Sequence, residues 1–385
     1  MNKLLLGKEK FTVSFVYADK GLELNTSVWR CIIPARALSK VGYGVSLVPV
    51  ELFQQNTPEA EEACNSSDII IVERNLFGDT LTRMIFWIAR GKVVLVNYDD
   101  DYAGIEATNM SYEYWHDGTI TATNEETKEE KKLYVFPHPM WQYKLGLKLA
   151  HAQLVSSKQF IKKYKKYSPV YYLPNYFETQ YYINFEKEKR DHIVIGWGGS
   201  LSHLQSFKDS GVLGALKLIC EQKPNVKVLI CGDPRVFEAM DLPEDKKLFQ
   251  EYVQYEQWGS VIAQKFDIGI APLAGEYDQY RSWIKPIEFM LTKTPFVASK
   301  GRAYQDIAEY CNLVDNTENA WFTRLSEMID NLEQENVLIA GKPFNFALEQ
   351  DVDKRVFDIA KLLEDISFRH AHIQFRKNRR KKITK

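Results

Sequence analysis

The sequence lacks a C-x-x-C pair, and its five cysteines (Cys31, Cys64, Cys220, Cys231 and Cys311) are odd in number and widely spaced. That argues against a disulfide framework or a structural zinc site and fits small apolar residues in a reducing compartment. No apolar run approaches the roughly 18–20 residues that cross a bilayer. Met1–Lys10 holds only the triplet Leu4-Leu5-Leu6, which is no signal peptide. The expectation is a cytoplasmic protein, free to sit peripherally at a membrane. Net charge is also nearly missing: −1 at pH 7 speaks against nucleic-acid binding by the whole surface, though not by a local basic patch. No histidine pair has H-E-x-x-H spacing, no G-x-G-x-x-G or Walker lysine occurs, and no short-period repeat is visible.

What is present is a long, ordinary globular composition. A chain of 385 residues with 45% hydrophobic and 26% charged residues suits two domains rather than one core. Short apolar runs alternate with helical patterns. Phe11–Ala18, Val45–Val50, Asp68–Val72, Val93–Asn97 and Gln153–Ser156 read as strands, with helices at Ser27–Val41 and Thr80–Arg90. A second series starts at His192, with strands at Ile193–Trp197, Lys227–Cys231, Asp267–Pro272 and Pro295–Ala298. This rhythm predicts an α/β protein whose parallel sheets are covered on both faces. We place a first Rossmann-like domain at 1–175, with a polar β-hairpin inserted near 103–140. A second spans 176–350, and a C-terminal helix and basic tail occupy 351–385.

Three stretches carry candidate chemistry. Gly196-Trp197-Gly198-Gly199-Ser200 ends a strand, where glycines let backbone approach a phosphate, or simply form a tight turn. Arg281-Ser282-Trp283-Ile284-Lys285-Pro286-Ile287-Glu288 opens a helix after the strand ending at Pro272. Free N–H groups there, with Arg281 and Lys285, suit a pyrophosphate, and Glu288 one turn on can accept ribose hydroxyls; the alternative is an ordinary helix start whose Arg, Lys and Glu pair with each other at the surface. Asp99-Asp100-Asp101 follows a strand and is expected on a cleft rim facing an acceptor, with Asp100 or Asp101 as base; a solvated acidic loop is the alternative. No metal ligand set or cofactor is expected. His203 is the one histidine placed for a role, just after the glycine turn. Arg376–Lys382 is a basic run that is either a solvated end or, within 376–385, a foot on an anionic membrane surface or nucleic acid.

The pattern Ala271-Pro272-Leu273, a loop, Arg281-Ser282-x-x-Lys285-x-x-Glu288-Phe289, then Thr294-Pro295-Phe296-Val297-Ala298-Ser299 resembles the donor-site signature of family 4 and related GT-B glycosyltransferases. Ile195–His203 is similar to the opening of their donor domain, Ser27–Leu38 to their first acceptor-domain helix, and Leu173-Pro174-Asn175 to their interdomain segment. The resemblance runs from about Phe11 to Asn319. It implies a GT-B fold, two Rossmann-like domains facing across a cleft, and transfer of a hexose from a nucleoside-diphosphate sugar to a hydroxyl acceptor, typically with retention and without an obligatory metal. It further implies Glu288 on the ribose, Arg281, Ser282 and Lys285 on the diphosphate, Gly198, Gly199 and Ser200 at the donor turn, and Tyr255 to Trp258 lining the base. Two departures stand out. Tyr280 occupies the donor-side place of the first glutamate of E-x7-E, and the usual Gly-Arg…Lys is absent, with His203 or Lys208 as substitutes. The function expected is surface polysaccharide, glycolipid or glycoprotein synthesis. The alternatives are a phage-type DNA-base glycosyltransferase and an inactive nucleotide-binding scaffold.

Overall fold

The computed structural model describes residues 10–19, 25–109, 111–124 and 127–383, with side chains described to residue 370. The side chains of the basic run Arg376–Lys382 therefore lie outside the described residues. The strands are β1 (Thr12–Tyr17), β2 (Gly44–Pro49), β3 (Ile69–Glu73), β4 (Val93–Tyr98), β5 (Thr119–Thr123), β6 (Glu130–Tyr134), β7 (Ala152–Val155) and β8 (Val170–Tyr172), then β9 (Ile193–Gly199), β10 (Val226–Gly232), β11 (Lys247–Gln250), β12 (Ile268–Ala271), β13 (Phe296–Ser299) and β14 (Asn312–Val314).

Two six-stranded sheets result, ordered β2-β1-β3-β4-β7-β8 and β11-β10-β9-β12-β13-β14. All their pairings are parallel. Each strand that sequence patterning did not reveal (β8, β11 and β14) is a short edge strand of three or four residues. Central strands are apolar on both faces because helices cover both. In β3, Ile69 and Ile71 join one core while Ile70 and Val72 join another, as the two-residue period requires. The order reverses between β1 and β3 and again between β9 and β12. Ligands of open parallel sheets bind at such switch points, outside the strand carboxyl ends.

The helix expected over Ser27–Val41 begins as a π-turn, Val28–Ile32, and continues as an α-helix, Ile33–Lys40. Pro34 explains the change. It has no N–H to give the carbonyl of Arg30 four residues earlier, and its ring crowds that carbonyl, so the turn widens. Ile33 instead donates to Val28 O, and the freed Arg30 carbonyl accepts from Asn97 Nδ2 at 2.7 Å. The Arg30 guanidinium is fully buried among oxygen acceptors: Asn97 Oδ1 at 2.8 Å, Leu173 O at 2.7 Å and Asn175 Oδ1 at 2.8 Å. One residue thus ties the end of β4 to the segment that leaves the first sheet.

The last helix, Val352–Ile383, returns to the first half of the molecule. Val352, Val356, Ile359 and Leu363 enter the core shared with Ile33, Ala37 and Leu38, and Lys40 pairs with Asp353 at 3.0 Å. No helix among the described residues is long and apolar enough to cross a membrane. The β5–β6 hairpin forms its own two-stranded antiparallel sheet. It is not polar throughout, since Ile120, Leu133 and Tyr134 are all exposed.

Replacing Arg30 with Ala strands three buried acceptors, each worth on the order of 1–3 kcal/mol. Arg30→Ala is expected to destabilise the fold by about 3 kcal/mol or more. Arg30→Lys should recover less than half of that, because an ammonium lacks the planar fork. Urea unfolding followed by tryptophan fluorescence measures both; an unchanged midpoint for Arg30→Ala would refute the account.

Candidate functional site

The carboxyl ends of the two sheets face one another across a cavity of about 620 Å³. From the first sheet come Asp19 after β1, Arg74 after β3, and Asp99 and Asp100 after β4; from the second come Gly198, Gly199 and Ser200 at the end of β9, Gly232 at the end of β10 and Leu273 after β12. The helix Ile284–Leu291 starts at the cavity wall, and Ser282, Ile284, Lys285 and Glu288 line it. The first N–H groups of that helix have no intrahelical partners, and no side chain caps them.

Lys285 and Glu288 sit about one turn apart and both face the cavity. The Lys285 ammonium donates to the carbonyl of Gly198 and lies 5.0 Å from the centre of the Trp197 ring. Burial pushes its pKa down, to about 8, with Glu288 opposing that and Arg281 adding to it. Glu288 is buried, and its Oε1 accepts from Trp258 Nε1 at 2.9 Å and Tyr182 OH at 3.3 Å. These two donors fix the carboxylate plane and leave Oε2 for a ligand. Burial raises the Glu288 pKa to about 7, against the pull of Lys285.

The glycines make room as much as they bend. A Cβ on Gly198 would fall 2.1 Å from the Trp258 ring, so that ring reaches Glu288 only because residue 198 has no side chain. Gly232, at φ +113°, lies against the carbonyl of Gly199, where a Cβ would sit 2.5 Å away. Both the close approach and the backbone conformation demand glycine there.

Arg281 is held before any ligand arrives. Its Nε donates to Asp278 Oδ1 at 2.7 Å, its Nη2 to Ser202 Oγ at 3.3 Å, and its Nη1 lies 3.8 Å from Asp100 Oδ1 across the cleft. Burial works against its charge, but Tyr277, Asp278 and Asp100 outweigh that and hold its pKa above the ordinary value. His203, buried at the wall, is pushed well below its usual pKa by burial and by Arg281 and Lys285, so it is neutral. Its Nδ1 has no hydrogen-bond partner among the described residues.

On the opposite wall Asp99 has an unpartnered Oδ1, and burial together with Asp100 raises its pKa to about 7. Arg74 sits beside Glu73 and Asp19. Trp29, Tyr102 and Trp115 also line the cavity.

The structure brings Gly198, Gly199, Ser200, His203, Trp258, Arg281, Ser282, Lys285, Glu288 and Asp100 to one cavity. Three expected residues are elsewhere. Asp101 is buried, salt-bridged to Lys163 and bonded by Tyr164 OH; the bend that follows β4 turns it away from its neighbours. Tyr255 packs in the core against Trp29, at 5.3 Å, and Tyr182. It starts the helix Tyr255–Lys265, and the position three residues on, Trp258, is the one that reaches the cavity. Tyr280 leans on Phe160 of the first domain, 5.3 Å between ring centres, beneath Lys163. Lys208 is not among the cavity-lining residues either. Arg74, Asp19 and Tyr277 were not singled out by sequence reasoning, and Asp99 was read as part of the acidic run but not as the base. Their one signal was position, immediately after strand carboxyl ends or within the loop before Arg281. Among the described residues no group of three or more His, Cys, Asp or Glu side chains is placed to hold a metal ion.

No protein-family model matches the chain, and neither does any curated protein. Solved structures do. Anabaena HepE in complex with UDP-glucose is 14% identical with a TM-score of 0.63, covering 92% of this chain and 100% of that one. An alpha,alpha-trehalose 6-phosphate synthase from Burkholderia multivorans is 8% identical with a TM-score of 0.58, covering 95% and 98%. The S. aureus MnaA structure with UDP is 11% identical with a TM-score of 0.51, covering 92% and 97%. At these identities the likeness is one of fold, and the fold is GT-B.

A buried lysine with a pKa near 8 makes the site's charge depend on pH. The cation persists below that value and is lost above it, so an anionic ligand should bind best below pH 8. We expect the affinity for inorganic pyrophosphate, used as an anionic probe, to fall about tenfold between pH 7 and pH 9. Lys285→Arg, which keeps its charge, should flatten that slope. Calorimetric titration at the two pH values checks it; an equal fall in the arginine variant would place the titrating group elsewhere.

Proposed function

We propose that this chain is a glycosyltransferase that takes a sugar from a nucleoside-diphosphate donor and passes it to a hydroxyl acceptor. The observation that carries the proposal is the buried Lys285 and Glu288 at one helix start, beside Arg281, in a cavity continuous with Asp99 and Asp100. Glu288 Oε2 accepts the ribose hydroxyls, while Oε1 is kept in place by Trp258 and Tyr182. Lys285, Arg281, Ser282 and the free N–H groups of the helix Ile284–Leu291 receive the diphosphate. As the sugar–phosphate bond breaks, charge grows on the leaving diphosphate, and fixed cations in a partly buried site stabilise it at no reorganisation cost.

The acceptor enters on the first-domain side. Asp99 and Asp100 accept hydrogen bonds from its hydroxyl there, and the pKa of Asp99, raised to about 7, suits it to take a proton near neutral pH. Transfer of a hexose with retention, in surface polysaccharide, glycolipid or glycoprotein synthesis, is the finer reading supported by the sequence signature. One observation favours a second reading, a nucleotide-binding protein without transfer chemistry: the residue in the place of the family's first glutamate is Tyr280, packed away from the cavity.

A thermal-shift panel of UDP, GDP and ADP and their common sugars tests the proposal. A ligand at 100 times its Kd adds about 2.7 kcal/mol of stability, a clear rise in melting temperature. Glu288→Ala is expected to weaken nucleotide binding at least tenfold and to abolish slow hydrolysis of the matching nucleotide sugar. A shift without any hydrolysis would favour the second reading, and no shift across the panel would sink both.

A further inference from the structure

Three buried polar side-chain atoms that lack a hydrogen-bond partner among the described residues belong to residues lining the cavity. They are His203 Nδ1 on the second-domain side, and Asp99 Oδ1 and the Tyr102 hydroxyl on the first-domain side. The last two are complementary, an acceptor and a donor, yet no hydrogen bond joins them. A buried hydroxyl left unpaired costs stability. A fold that keeps one against a cavity points to a ligand that meets it.

Tyr102 is held firmly in that place. It opens the short turn Tyr102–Gly104, directly after Asp101, whose carboxylate is fixed by Lys163 and Tyr164. Gly104 N closes the turn on the carbonyl of Asp101 at 2.8 Å. The Tyr102 ring packs on Trp115, 4.7 Å between centres, and on Tyr143 at 5.3 Å, and the residue is only 8% exposed. Its ring has partners within the fold; its hydroxyl does not. Burial keeps the phenol pKa well above its ordinary value, with Arg74 opposing and Asp100 and Asp99 adding, so the group stays protonated and can donate.

A hydroxyl of an incoming molecule meets both atoms at once. It donates its proton towards Asp99 Oδ1 and accepts from Tyr102 through one lone pair. An anion could accept from Tyr102 but would set another acceptor against Asp99.

We infer that Tyr102 binds the acceptor, its hydroxyl donating to the oxygen whose proton Asp99 takes. The inference rests on the transferase reading above and adds to it the residue that aims the nucleophile. With one lone pair engaged by Tyr102, the other is left for the anomeric carbon. As the new C–O bond forms, the sugar–phosphate bond breaks and its electron pair leaves on the diphosphate. The hydroxyl proton passes to Asp99, and Tyr102 keeps its own proton throughout.

Tyr102→Phe in the full chain tests it, with Tyr143→Phe as its control. The Tyr143 hydroxyl is also buried and unpartnered among the described residues, but Tyr143 does not line the cavity. Neither variant should lower the melting temperature, since each removes an unmet hydroxyl and keeps the ring. Hydrolysis of UDP-glucose, GDP-mannose and ADP-glucose, with water in the acceptor's place, gives the rate. For a donor that the wild type hydrolyses, Tyr102→Phe should lower kcat about tenfold with KM unchanged, the worth of one hydrogen bond. Tyr143→Phe should change neither. An unchanged kcat in Tyr102→Phe overturns the inference and leaves the transferase reading standing. An equal loss in Tyr143→Phe, a raised KM, or a lowered melting temperature of Tyr102→Phe overturns it too. The hydroxyl would then act through packing, on the donor, or on the fold. No hydrolysis by the wild type removes the transferase reading itself, and the inference with it.

Discussion

The guanidinium of Arg30 is buried with no carboxylate in hydrogen-bond contact; its direct partners are the oxygens of two asparagines and a backbone carbonyl. Burial lowers its pKa from the ordinary value, with Asp99, Cys31 and Glu73 pulling the other way. Such a group is tolerated only where acceptors are fixed around it. Here Pro34 supplies part of the reason, because the π-turn it forces frees the Arg30 carbonyl for Asn97 while Arg30 itself holds Asn97 Oδ1. Asn175 extends the chain of contacts, accepting from Arg30 at 2.8 Å and donating to Ser282 Oγ at 3.1 Å. The end of β4, the segment joining the two sheets and the wall of the cavity are therefore positioned by one network, and Asp99 and Asp100 follow directly from the strand it anchors.

A second constraint is electrostatic. The cavity gathers Lys285, Glu288, Arg281 and Asp99 at low exposure, and their mutual charges only partly offset the cost of burial. Lys285 is held below its usual pKa, and Glu288 and Asp99 above theirs. A structural ion-pair network would close these groups on each other. Here Lys285 turns to a backbone carbonyl, Glu288 keeps one oxygen open, and Asp99 Oδ1 and His203 Nδ1 have no partner among the described residues. Unpartnered buried polar groups gathered among the residues that line one cavity are the mark of a functional site.

The repeating architecture was legible because buried parallel strands are continuous apolar runs. The three strands that escaped were edge strands too short to show a pattern. The helix start at Ile284 was legible from Pro286 and the spacing of Lys285 and Glu288, which a helix necessarily puts on one face. What escaped within the site was direction. Asp99, Asp100 and Asp101 are equivalent on paper. In the fold they part: Asp99 and Asp100 line the cavity, Asp100 lying 3.8 Å from Arg281, while Asp101 pairs with Lys163, because the chain leaves β4 at Tyr98 and bends, so strand alternation no longer sets their directions. Tyr280 and Arg281, in the turn after the short helix Gly275–Asp278, also point apart, one against Phe160 and the other into the cavity. Trp258 was visible as an aromatic in the expected stretch, but its route to Glu288 runs over Gly198, which no linear reading connects to it.

The place of Tyr280 bears on how the site works without that carboxylate. The surroundings of Tyr280 are Phe160 on one side and Lys163 and Arg302 over the ring. A phenol ring meets those neighbours by cation–π contact with no charge to desolvate. The carboxylate supply then falls to Asp100, which reaches from the first domain to within 3.8 Å of Arg281. That contact spans the cleft, so in the reading proposed above the cation that meets the diphosphate is shared with the side assigned to the acceptor. An arriving anion competes with Asp100 for Arg281, and whatever loosens that pair leaves Asp100 freer to meet an acceptor hydroxyl. The two halves of the cavity are thus coupled through one shared guanidinium, by Coulomb attraction alone and with no moving element required.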